Sequence, residues 1–280
     1  FTLFVFREQV KLVVDTAMAT MLFFGWVLAV LSASHAITRE LETGTALLML
    51  SKPVNRSTFI LGKILGILLG STVFIFLTAI ASLIAVRVAK DQFYFDQKGL
   101  ALFFAAIAVS CLLAGIHNYV KRSSFPMMAV LFMLVVFPLV AVVIRVVPVE
   151  GDFLSYNWAL VPALVLVMYA VWTMGILATA LSTRFDLLPN MLICSGVFVV
   201  GLMSDYLLGR HADQSMLAAF FYAVVPNWQL FWMADALAAD KRIPVAYVGW
   251  GAVYILLFIA FFLALALLMF RQREVGRQQV

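Results

Sequence analysis

Long apolar runs separated by short polar breaks recur along the chain, at about 14–36, 58–88, 99–119, 126–147, 156–182, 187–208 and 245–270. Each is close to or above the ~20 residues that carry a helix across ~30 Å of hydrocarbon. The short alternating segments of an outer-membrane barrel are absent. The pattern predicts an all-α, polytopic helical membrane protein with about seven membrane helices in a single transmembrane domain, 1–280. One further apolar stretch, Met216–Val225, is too short to cross and is closed by Pro226-Asn227-Trp228, a helix-breaking sequence. Residues 216–239 are therefore expected to be re-entrant or interfacial, with Tyr222, Trp228 and Trp232 at the headgroup level that suits an amphipathic ring.

Composition agrees. Of 280 residues, 65% are hydrophobic and 12% charged, with mean hydropathy +1.07, where a soluble domain carries roughly 25% charged residues. Cys111 and Cys194 both lie inside apolar runs, which leaves no disulfide framework or CxxC motif and makes them small hydrophobes. The basic residues behind the pI of about 9.3 are scattered between the runs rather than gathered on one face, so no nucleic-acid partner is expected.

No Gly-x-x-x-x-Gly-Lys-Ser/Thr sequence occurs, so any ATP is hydrolysed on another chain and no cofactor is expected in this one. HExxH and GxSxG are also missing, which weighs against an intramembrane enzyme. His35, His117 and His211 are too dispersed for a metal site. Asp15, Arg87, Arg145 and Asp205 sit close to predicted span ends and read as interface anchors; Asp205 with Tyr206 is the nearest thing to a polar site. An ion-coupled secondary transporter needs mid-membrane charges or paired broken helices, and neither is evident. A structural anchor within a larger complex stays open.

Chemistry concentrates between the first two runs, in residues 38–63. There Leu41, Leu47, Leu48 and Leu50 supply an apolar stripe, and Glu40 and Glu42 are expected in the first turn of a short amphipathic helix, where the helix dipole favours carboxylates. Pro53 would end that helix. The ordered set Arg39, Glu40, Glu42, Gly44, Thr45, Lys52, Pro53, Arg56, Gly62 and Lys63 resembles the cytoplasmic coupling region of ABC-2-type permeases, the membrane subunits of ATP-driven exporters. Leu188-Pro189-Asn190, Pro226-Asn227-Trp228 and the basic end Phe270-Arg271-Gln272-Arg273 resemble the C-terminal part of the same family.

That resemblance implies a cytoplasmic coupling helix within 38–57, cytoplasmic ATPase subunits carrying ATP and Mg, and a second permease subunit in a homodimer or heterodimer. It also implies a bacterial cytoplasmic (inner) membrane and one more membrane helix ahead of Val13–Ile37. The Pro126–Val147 run departs from the family's usual six-helix plan. Lys and Arg divide ten inside to nine outside on this orientation, so charge barely decides the topology. Lys52, Arg56 and Lys63 would meet lipid phosphates or acidic groups of the ATPase.

Gly62, Gly66 and Gly70 repeat every four residues and form a flat stripe for close helix packing, expected within the subunit rather than against the second permease. Span interiors rich in Phe, Leu, Val and Met imply apolar walls and a hydrophobic or amphipathic substrate.

Overall fold

The computed structural model describes residues 9–42, 56–89, 96–149, 153–239 and 241–271, and among the described residues every regular element longer than a turn is helical. The apolar runs become α1 Gln9–Glu42, α2 Arg56–Val88, α3 Gln97–Lys121, α4 Phe125–Val146, α5 Leu160–Ser182 and α6 Leu187–Leu202. A broken segment with α7 Met216–Val224 and α8 Ala234–Ala238 leads to α9 Val245–Arg271. Among the described residues seven helical segments are long and apolar enough to cross a membrane, with Met216–Leu237 among them, and an eighth if the bent pair at 187–212 is one span. The chain is an integral membrane protein of the predicted helical class.

Two details differ from the expectation. The run 187–208 is not one straight span: α6 stops at Leu202 and the chain bends by 65° into Asp205–Ala212. The bend coincides with a π-helical turn at Asp205–Gly209, a known cause of sharp kinks. Asp205 is turned to accept hydrogen bonds from Tyr222 and the Asn227 amide, both at 2.7 Å. Residues 216–237 pass for a span by length and composition, yet α7 has nine residues and rises only ~14 Å. Pro226 lacks an amide donor and ends it; a 3-10 turn Trp228–Phe231 and the five-residue α8 follow. The segment expected to be re-entrant or interfacial is thus a candidate span by length and composition, assembled from three short helical pieces.

The end of the bundle where α1 stops and α2 starts is called here the near end, and the opposite one the far end. Buried Leu, Ala, Val and Met side chains make α5 the central helix, lying against α1, α2, α6 and α9. Small residues permit this. A Cβ on Gly25 would stand 2.6 Å from Val171 of α5, and one on Gly175 would stand 3.2 Å from Ile67 of α2. The expected stripe does not take part: among the described residues no atom lies within 4 Å of a Cβ built on Gly62, Gly66 or Gly70. Its neighbours Leu65 and Leu69 are exposed as well. The intrasubunit contact expected for this stripe is therefore corrected; close packing went to isolated glycines facing bulky β-branched partners.

The α3–α4 hairpin stands to one side, packed on α2. Asp96 caps α3 by accepting the Gly99 amide at 2.8 Å, and Arg122 closes it in the left-handed region at φ 53°. At the far end Arg87, read as an interface anchor, is instead fully buried. It pairs with Asp96 at 3.0 Å and donates to the carbonyls of Val147 at 3.0 Å and Leu154 at 3.2 Å. One guanidinium thus ties together the end of α2, the start of α3 and the connection from α4 to α5.

Candidate coupling site

The near end carries the residues singled out in the sequence. Helix α1 does not stop at Ile37 but continues to Glu42, so Arg39, Glu40 and Glu42 lie in the last turns of the first membrane helix. This corrects the expectation that the two acids open a new helix. At a C-terminus the macrodipole is negative and does not stabilise carboxylates. Arg56 is the first residue of α2. Gly44, Thr45, Lys52 and Pro53 lie outside the described residues, as does the amphipathic helix expected there. Farther along α2, Lys63 places its Nζ over the Phe59 ring, 5.5 Å from the centroid.

Directly beside the extended end of α1 is a polar node that sequence reasoning left unassigned. Asn190, on the first turns of α6, is wholly buried. Its side-chain amide donates to Ser34 Oγ of α1 at 2.9 Å, to Ser182 Oγ of α5 at 2.8 Å and to the Ala178 carbonyl at 3.2 Å. The amide oxygen accepts a weak bond from the Cys194 thiol at 3.4 Å.

Local sequence explains the node. Pro189 is tolerated because it falls in the first turn of α6, where amides lack helical partners. Ser182 bonds back to the Ala178 carbonyl at 2.7 Å and so turns its lone pairs toward the amide. An uncharged amide with several donors and acceptors satisfies three helices at once in a dry environment where an orphaned polar group is costly. The available signal was Asn190 itself, an amide four residues into an otherwise apolar run.

The node makes a stability prediction. Asn190→Leu keeps the branching and the number of heavy atoms, though its methyl groups are bulkier, and removes the bonds between helices, which in membrane proteins average ~0.6 kcal/mol each. The variant is expected to unfold about 1–2 kcal/mol more easily in a denaturant titration; equal stability would show that the node is ornamental.

The other polar candidates serve the fold. Asp205 holds the far-end segment through Tyr222 and Asn227, and the Asn227 backbone amide donates to the Tyr254 hydroxyl of α9 at 3.0 Å. Tyr206 lies under the Arg210 guanidinium at 4.6 Å. His117 bonds Ser123 at 2.7 Å in the α3–α4 turn. Among the described residues no group of three or more His, Cys, Asp or Glu side chains could hold a metal.

The family model for the ABC-2 family transporter protein matches residues 4–275. No curated protein and no solved structure matches the chain.

Proposed function

The chain belongs to the ABC-2 transporter family and is a membrane subunit of an ABC transporter; we propose that it is the permease half of an ATP-driven exporter, with residues 38–57 as the seat of a separate ATPase. The observation that carries this reading is the unbroken run of α1 to Glu42 together with its clasp at Asn190. A push on Glu40 or Glu42 moves a rigid helix, and the Asn190 amide passes that movement to α5 and α6 rather than letting α1 slide alone. Two carboxylates at the negative pole of a helix attract a cationic groove more strongly than the same pair at an N-terminus.

In this reading Arg39, Glu40, Glu42, Gly44, Thr45, Lys52, Pro53 and Arg56 contact cytoplasmic ATPase subunits that carry ATP and Mg. The complex contains a second permease, identical or related, in a bacterial cytoplasmic membrane. The substrate is hydrophobic or amphipathic, in keeping with the apolar side chains exposed on the spans. Residues 1–280 act as one transmembrane domain.

The test is the double variant Glu40→Gln, Glu42→Gln, reconstituted with its ATPase in vesicles. ATP-dependent transport is expected to fall about tenfold or more, the range of a coupling contact, while the thermal midpoint of the permease stays where it was. Undiminished transport would exclude these acids from coupling.

A further inference from the structure

Toward the far end, α2, α4 and α5 do not close on one another and leave a cleft of about 430 Å³, within the ~300–1,000 Å³ of ligand pockets. Its walls are Ile80 and Leu83 of α2, Pro138 and Ala141 of α4, and Val161 and Leu164 of α5. The polar groups that reach it are already used. The Thr72 hydroxyl donates to the Leu68 carbonyl at 2.7 Å and accepts from the Trp172 indole at 3.1 Å. The Tyr156 hydroxyl donates to the Ala141 carbonyl at 2.6 Å. Nothing inside the cleft asks for a polar ligand.

The rim is different. Trp158 stands there 57% exposed, an amphipathic ring of the kind that suits the boundary between headgroups and hydrocarbon. Pro138, Ala141 and Arg145 follow one another at i, i+3 and i+7, so the exposed Arg145 continues the cleft-lining face of α4 one turn beyond the apolar wall. Its charge is felt at the rim: burial raises the Tyr156 pKa, Arg87 pulls it back, Asp96 raises it and Arg145 lowers it again.

We propose that this cleft binds an acyl chain of an anionic phospholipid from the leaflet on the far-end side, with the lipid phosphate on Arg145 and Trp158 beside the glycerol. In a bilayer an apolar opening between helices is filled by hydrocarbon, since water finds no partner there. A single cation at the rim then selects a negative headgroup. The site is distinct from the coupling end, and its α4 wall belongs to the Pro126–Val147 run that departs from the usual six-helix plan.

Native mass spectrometry of the intact protein, incubated in mild detergent with phosphatidylglycerol or phosphatidylcholine, tests the proposal. One phosphatidylglycerol per chain is expected to stay bound, about fivefold preferred over phosphatidylcholine. Arg145→Gln should abolish the preference and keep the lipid. Ala79→Phe, on the α2 wall, should expel the lipid from protein whose thermal midpoint shows that it is folded. Phosphatidylglycerol with brominated chains should quench Trp158 fluorescence, with loss of the quenched fraction in Trp158→Phe.

No retained lipid, equal retention of both headgroups, or a disulfide between two chains through Ala141→Cys would each overturn it. The last would show a second copy seated in the cleft.

Discussion

Arg87→Ala is expected to destabilise the protein by about 3–5 kcal/mol, the cost of leaving a buried charge without its partner, and to lower the thermal midpoint by on the order of 10 °C. The substitution strands more than Asp96. The carbonyls of Val147 and Leu154 also lose the guanidinium that satisfies them, and the α2–α3 and α4–α5 connections lose their common anchor. Tyr156, whose ring lies 6.0 Å from the guanidinium, loses its cation–π contact. A second variant isolates the cause. Asn at position 96 can still accept the Gly99 amide, so Arg87→Ala with Asp96→Asn should recover part of the lost stability. A double variant as unstable as the single one would mean that the carbonyl contacts, and not the ion pair, hold the far end.

Gly201→Ala is expected to cost at least the upper part of the ~1–3 kcal/mol typical of overpacking. A Cβ at this position meets the Pro226 carbonyl oxygen and the Trp228 indole, with Trp228 Cδ1 at 2.6 Å. The indole could move, but the carbonyl is backbone. Its segment is held by the Asn227 amide bonds to Asp205 and Tyr254 and by the Gln229 side chain, which donates to the Leu202 carbonyl at 2.8 Å. Trimming the ring in Gly201→Ala with Trp228→Leu should therefore not restore the midpoint in a thermal melt. Restoration would locate the clash at the ring and leave the backbone contact irrelevant. The wild-type packing runs on from this point: Trp26 stacks on Phe198 at 5.6 Å, Phe198 meets Trp228 at 6.3 Å, and Phe231 continues to Tyr254 at 5.9 Å. Displacing Pro226 would loosen the far-end segment from α1, α6 and α9 together.

Both positions show how sequence and structure divided the work. Arg87 was visible only as a charge near a span end, which in most membrane helices snorkels to the interface. Its partner Asp96 lies nine residues on, beyond the end of α2, and no periodicity links the two. The Gly62, Gly66 and Gly70 stripe had the spacing of a packing face and is open among the described residues, while Gly25, Gly175 and Gly201 have no spacing rule and sit at the tight crossings. Packing depends on what a neighbouring helix presents, which one helix's sequence does not contain. Glu40 and Glu42 were found by resemblance, but the helix they belong to was misjudged, because polarity suggested a boundary where helical hydrogen bonding carries on beyond the apolar run.

By itself the sequence determined that the protein lies in a membrane, that its spans are helical and where most of them run. Those properties follow from hydrocarbon thickness and backbone hydrogen bonding, which act on each segment alone. Tertiary structure decided the rest: the 65° bend after Leu202, the guanidinium bolt at Arg87, the amide clasp at Asn190 and the lipid-sized cleft beside α4. Each of these arises from side chains distant in sequence meeting where water is absent. There an unpaired polar group is expensive, and only the assembled bundle determines which partner is in reach.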